Sequence, residues 1–451
     1  MKLALFLSLL FIVVFADMSI EDAWLNVKNN SAGIKAIEDD KSIANLKRDS
    51  AKSMYLPDIS LSGSYTHLSK PIGTDTHDMA NSLSSTMPLV SALMSAFPNH
   101  QLDFSKQDIF LANLHMLWPL YTGGKIDAAQ DIYSAGVDEA KALLDMKKDK
   151  EFLKLVKYYY GVVVALSLYE TRKEAQKALQ LHYENAKKLK EQGQIAKIEL
   201  LDAKVKLDGA KIQSTKAKHK YEISLCALSS LVNQKIKPSS KLVVNEVLQD
   251  EQYYTTKTQQ NYAPLGVLKA KEKQSEAFIK VKESDYYPTV VGYANYNLYK
   301  DDSAIMKTMP EWFGGVMIKI NLLKRKDRSQ EIQAAKLLDS KIKYLREEAL
   351  QNLAVLVEKT YKEMLLYKDE YNSLNSSIEL AKENYKLRTI AFKEGLSTSL
   401  EVIDAQMFLL GVKTKRLNAA YNYEQKLSQL CVLSGDRDMF FEIVNSSQEI
   451  K

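Results

Sequence analysis

Two pairs of carboxylates recur at one spacing: Glu199 with Asp202, and Glu401 with Asp404. Residues three apart on a helix share a face, and the second pair lies beside the apolar Leu400 and Ile403. Carboxylates so placed can divide the acid and base roles of a glycosidase, hold a metal, or set up a fixed negative field. No histidine stands near either pair in the sequence, and a seam between supercoiled helices offers no concave pocket, which argues against hydrolysis and metal binding. Solvated charges beside a helix turn are the ordinary reading. His67, Asp75, His77 and Asp78 also have metal-ligating side chains, but their stretch is polar and irregular and reads better as a solvated surface loop. No catalytic residue, cofactor or metal site is assigned.

The elements that carry these pairs are written twice. Residues 191–205 run EQGQIAKIELLDAKV and residues 393–407 run KEGLSTSLEVIDAQM. One offset of 202 lays Gly193 on Gly395, Glu199 on Glu401 and Asp202 on Asp404. Upstream, YLPDISLSGSY (55–65) recurs as YYPTVVGYANY (286–296). The fold is therefore expected to be two copies of one supersecondary unit.

The chain opens with MKLALFLSLLFIVVFA, a basic start and an apolar run shorter than a membrane span, so residues 1–16 are expected to be a secretory signal peptide. No cysteine follows that run to accept a lipid. The two cysteines, Cys226 and Cys431, lie in apolar helical stretches and are expected to be buried and unpaired. The net charge of +6 comes from lysines scattered among glutamates, a pattern of solvated helix faces and not of a nucleic-acid surface. Nothing after residue 16 reads as a transmembrane helix, the best stretch (158–169) being too short. Entry into a membrane would then need strands.

Helix formers fill residues 18–54 until Pro57. A strand then alternates Ile59, Leu61, Gly63 and Tyr65 against Ser60, Ser62, Ser64 and Thr66. A loop over 69–105 leads to a second strand (108–121), where Pro119, Gly123 and Gly124 close the hairpin. A long helix (125–192) turns at Gly193 and returns over 196–232. The second copy has a helix over 263–286, Pro288, strands at 289–299 and 312–322, and a helix pair turning at Gly395. The predicted organisation is a first repeat at 17–234 with its hairpin at 58–121, a join at 235–262, a second repeat at 263–434 with its hairpin at 289–322, and a C-terminal tail at 435–451.

Strands of about 10–12 residues suit a tilted bilayer crossing, and each has an apolar face and a polar one. Four strands cannot close on themselves, and an open sheet leaves unsatisfied edges in lipid. Either the sheet is water-soluble, within a secreted coiled-coil scaffold or tether, or several chains share one barrel. Aromatics near the strands, including Tyr65, Trp118, Tyr121 and Trp312, favour the shared barrel, and periodicity alone allows a dimer or a trimer.

The chain resembles the TolC-like outer membrane efflux protein family. The resemblance rests on AKSMYLPDISLSGSY (51–65), WPLYTGGKIDAAQ (118–130), NYAPLGVLKAKEKQSEA (261–277), ESDYYPTVVGYANY (283–296) and the long stretch 393–435, in order and duplicated. It implies a mainly α fold with a transmembrane β part: a homotrimer with one shared 12-stranded barrel, continued by an α-helical tunnel of antiparallel coiled coils into the periplasm. The implied partners are outer-membrane lipid, a periplasmic adaptor and an inner-membrane transporter of the RND, ABC or MFS class. The implied function is export of drugs or proteins, without catalysis, as a tripartite efflux or type I secretion duct. The resemblance also sets Glu401 and Asp404 on the acidic rings of the periplasmic entrance, with raised carboxylate pKa values, and Glu199 on a closing contact. Two places depart from the family pattern. NLLKRKDRSQ (321–330) lacks the Pro and Gly-Gly of the first copy, and Ser397 replaces a basic latch residue, a role for which Lys393 is an alternative.

Overall fold

A computed structural model describes residues 16–245, 249–323, 326–394 and 396–449. Two compact units divide the chain. One takes residues up to Ala44, Val137–Lys271 and Ile342 onward; the other takes Asn45–Gly136 and Glu272–Lys341. Each draws on both sequence copies.

The first copy opens with β1 (Ala16–Met18), α1 (Ile20–Asn30) and α2 (Ala32–Lys52). The single helix expected over 18–54 is thus broken: Ser31 leaves helical geometry with ψ 118°, after two asparagines that favour caps and turns. Ser19 caps α1 by accepting from the Asp22 amide. Next come β2 (Asp58–His67), β3 (Gly73–Asp75), α3 (Thr76–Leu83), α4 (Pro88–Ser95), β4 (Gln101–Asp103) and β5 (Asp108–Tyr121). The expected loop over 69–105 therefore carries structure of its own. The helix pair is α5 (Lys125–Glu191) and α6 (Lys197–Val232), followed by β6 (Ile236–Pro238), which pairs in parallel with β1.

The second copy comprises α7 (Glu251–Asn261), α8 (Ala263–Glu283), β7 (Thr289–Lys300), α9 (Ala304–Thr308), β8 (Trp312–Lys319), α10 (Arg328–Lys393) and α11 (Ser399–Leu433), and α12 (Asp438–Glu449) ends the chain. By subtraction of first residues, α1 and α7 are 231 apart, as are α2 and α8, and β2 and β7. α7 is thus the counterpart of α1, inside the segment read from sequence as the join.

The unit that holds both chain ends is built on a core at the waist of the long helices. Phe152, Leu155, Val156, Tyr159 and Tyr160 of α5 are fully buried there, with Trp24 and Phe440 edge-on to Phe152 at 5.3 and 5.5 Å. By length and composition α5 is apolar enough to cross a membrane, contrary to the sequence expectation, and part of its apolar surface is buried in this core. α12 adds Phe441 and Val444 to the same core, so the tail packs. Cys431 is buried as expected, whereas Cys226 is exposed, because its position on α6 faces away from the core; both are free.

The other unit is built on an antiparallel four-stranded sheet in the order β2-β5-β7-β8. Register brings Leu61, Leu114 and Tyr296 together on one face, and Met116, Ala294 and Gly314 beside them. On the opposite face Ser60, His115 and Asn295 align, as do Ser62, Asn113 and Asn297, in polar rows that also admit Leu117 and Met317. β8 ends at Lys319 and not at 322, because its ladder stops where β7 begins, just after Pro288. Every residue of β2 and of β8 is exposed, and both strands are edges.

The junctions explain the prolines. Pro57 and Pro288 each follow a short 3-10 turn and precede β2 and β7. Pro119 sits where the β5–β7 register shifts, since it has no amide to donate. Gly123 (φ +64°) packs so tightly that a Cβ would come within 2.7 Å of the Tyr287 Cβ. The second junction lacks those glycines and is held differently. Arg328 donates to the carbonyls of Asp285 and Leu322, both at 2.9 Å, and stacks 4.6 Å from the Tyr286 ring. Lys324 and Arg325 of that turn lie outside the described residues.

Candidate functional site

Both long helix pairs share one backbone hydrogen bond at the turn. After α5, Gly193 takes φ +75°, the Gln194 amide donates to the Leu189 carbonyl (2.9 Å), and the Gly193 amide donates to Lys190 (3.0 Å). This pattern ends a helix with a left-handed residue. After α10, the Leu396 amide donates to the Ala391 carbonyl (2.8 Å), which is the Gln194–Leu189 bond shifted by 202 at both ends. Gly395 itself lies outside the described residues.

The returning helices start differently. α11 opens with a capping box: the Thr398 hydroxyl accepts from the Glu401 amide (3.3 Å), and Glu401 Oε2 accepts from the Thr398 amide (2.9 Å). Ser397 Oγ also donates to Glu401 Oε2 (2.6 Å), and Arg388 of α10 lies 3.5 Å from Oε1. These bonds, with Ser397 first, hold the Glu401 carboxyl below its ordinary pKa. Within one chain that is opposite to the raised value expected of an acidic ring. The cation beside Glu401 is Arg388 of α10, across the turn. In the first copy Ala196 stands at the N-cap with no side-chain bond, so Glu199 makes no capping box.

Asp202 pairs with Lys206 at 2.8 Å, and Asp404 is exposed. Both act electrostatically on one half-buried imidazole, that of His182 on α5. Its Nδ1 shares a 2.6 Å hydrogen bond with Ser399 Oγ at the start of α11. Burial, then Lys206, hold the His182 pKa below its ordinary value, and Asp202 and Asp404 partly offset them. In sequence His182 is 20 residues from Asp202 and 222 from Asp404, too far for any spacing to pair them. Folding the helix pair back at Gly193, and docking α11 against α5, closes both gaps.

A cavity of about 850 Å³ opens beside it, contrary to the expectation of a featureless seam. Leu189, Ile198, Leu201, Val205, Phe392 and Leu400 make its apolar wall, and His182, Glu199 and Asp202 are among its polar groups. Asp404 and Glu401 are not in the lining. The other polar cluster does not converge: Asp75 caps α3 through the Asp78 amide, His67 pairs with Asp108, and His77 bonds the Phe97 carbonyl. No group of metal-ligating side chains occurs among the described residues.

A family model described as outer membrane efflux protein matches residues 26–234 and 256–436. Among solved structures, the chain is similar to the outer membrane channel CmeC of Campylobacter jejuni at 15% identity and TM-score 0.76, covering 96% of this chain and 90% of that one. It is similar to the outer membrane protein VceC of Vibrio cholerae at 14% and 0.73, covering 93% and 96%. The Neisseria gonorrhoeae MtrE outer membrane channel, solved in its open state, gives 14% and 0.72, covering 94% and 90%. No curated protein matches by sequence. At these identities the structures speak for the fold.

Proposed function

The chain belongs to the outer membrane efflux protein family, and from that premise we propose that it is a homotrimeric export duct of the outer membrane. Three copies share their sheets in one barrel of 12 strands, and the helix pairs form a periplasmic tunnel. The tunnel receives small molecules or proteins from a periplasmic adaptor and an inner-membrane transporter. The duct positions and filters its cargo and performs no reaction on it.

One observation carries this reading. The four-stranded sheet ends in two fully exposed edges, and its apolar face is exposed as well. A long bare edge with apolar side chains invites pairing with another chain, and in lipid such an edge has to be closed. The helices support it. Ile212 and Ile223 on α6 are each more than half exposed, as are Val355, Leu366, Leu380 and Leu387 on α10. Their steps of 7, 11 and 14 residues are sums of the three- and four-residue steps of supercoil seams, and these seams lack a partner among the described residues. Distinct seams on distinct helices make a head-to-tail contact, which closes into a ring.

In that ring Glu401 and Asp404 form carboxylate girdles at the periplasmic entrance, Glu199 closes it, Asp202 flanks it, and Gly193 and Gly395 make the turns. Pro57, Pro119 and Pro288 set where helix gives way to strand. The test is membrane fractionation with gel mobility measured before and after boiling. An outer-membrane oligomer that resists SDS and dissociates on heating is expected. A soluble, SDS-sensitive monomer would remove the reading.

A further inference from the structure

The cavity beside the first turn has the features of a ligand site, and no feature of a supercoil requires them. Its volume of about 850 Å³ falls in the range that encloses drug-sized molecules, roughly 300–1,000 Å³. Its wall is mostly aliphatic, with the Phe392 ring on one side. The polar groups are few, and their charge is lopsided. Asp202 is already tied to Lys206 at 2.8 Å. His182 Nδ1 is engaged by Ser399. Glu199 is left: its carboxylate has no hydrogen bond or ion pair among the described residues, although its counterpart Glu401 is held by Ser397, Thr398 and Arg388. An unpaired carboxylate at an apolar mouth favours a cation whose body is apolar, and disfavours an anion of the same shape.

We propose that this cavity binds a monovalent amphiphilic organic cation, with the apolar body against Leu189, Leu201 and Phe392 and the charge on Glu199. The site differs in kind from an acidic ring on a symmetry axis, which acts on hydrated ions; here affinity comes from excluding water from an apolar body. Its walls come from both copies, α5 and α6 on one side, Phe392 and the first residues of α11 on the other. A ligand seated there therefore couples the two turns. Only this consequence rests on the duct reading: in a duct, an occupied cavity holds the entrance in one state.

Tetraphenylphosphonium and tetraphenylborate, bodies of one shape and opposite charge, supply the test by equilibrium dialysis against the purified full chain in detergent, with empty micelles as blank. Saturable binding of the cation, one per chain, is expected above the micelle blank, with weaker binding of the borate. Glu199→Gln should weaken the cation about tenfold and leave the borate unchanged, since one charged contact is lost. Ile198→Trp, at an exposed residue of the rim, should reduce both by filling the mouth. Equal binding of the two ions, cation binding indifferent to Glu199→Gln, or none above the blank would overturn the proposal. Failure of the duct reading would appear instead in the fractionation experiment, and saturable binding would survive it.

Discussion

Nδ1 of His182 on α5 and Oγ of Ser399 at the start of α11 are 2.6 Å apart, joining the two sequence copies at their turns across 217 positions of chain. The imidazole is half-buried, and its pKa is held down by burial and Lys206 against the pull of Asp202 and Asp404. A histidine whose pKa is lowered in the docked state takes up more protons when the contact is open. The contact is therefore stable above the ordinary pKa of about 6.5 and weakens as pH falls through it. Spin labels at the exposed Lys187 and Glu394 should report a longer, broader distance below pH 6 than at pH 7.5. His182→Gln should remove that dependence on pH.

Glu401 has two separable roles, a cap and a charge. Glutamine at the same position keeps the capping geometry and drops the charge. Glu401→Gln with Asp404→Asn should thus lower cation selectivity in planar bilayers and abolish block by multivalent cations, with assembly intact. Thr398→Ala should do the reverse, costing about 1 kcal/mol at the start of α11 and leaving selectivity in place. Replacing Glu199 should loosen closure while selectivity persists. Unchanged selectivity in the double variant would reduce the Glu401–Asp404 pair to solvated helix charges.

Glu424 is fully buried in the core of α11 and accepts only the Val243 amide at 3.2 Å, with Oε2 unpartnered among the described residues. Burial pushes its pKa up to about 8. An acid with a raised folded pKa binds its proton more tightly when folded. Its contribution to stability is present below the unfolded value of about 4.3 and is lost as pH rises through 8. Stability should fall by about 3–5 kcal/mol across that window, read as the urea midpoint at several pH values. Glu424→Gln should flatten the profile.

The hairpins are unequal. The front halves of the copies are offset by 231 residues and the back halves by 202, so the first hairpin carries 29 extra residues by subtraction. Those residues fold as α3, α4 and a short β ribbon. Long loops of outer-membrane barrels face outward. An epitope inserted at the exposed Ser84 should therefore be labelled on intact cells; labelling only after permeabilisation would reverse the orientation.

The periodic elements were legible in the sequence because each rests on local chemistry. Alternation marked β2 and β7, Pro57 and Pro288 marked their starts, and Gly193 marked the end of α5. The capping box is legible too, as Thr398-x-x-Glu401 ahead of an apolar run. What could not be read was whatever depends on one helix pair docking on another. His182, Arg388 and the cavity come from three-dimensional closure across the turns, and no spacing announces them. The strand end at Lys319 depended likewise on a partner strand, since apolar alternation continues through Ile320 and Leu322.

If one chain supplies a third of a closed membrane barrel, the mass of the complex extracted from outer membranes shows it most directly. Native mass spectrometry from detergent should give three chains per particle, with no stable monomer, because the open edges of β2 and β8 have no other partner among the described residues. A particle of one chain, folded and stable in detergent with both edges bare, would contradict it.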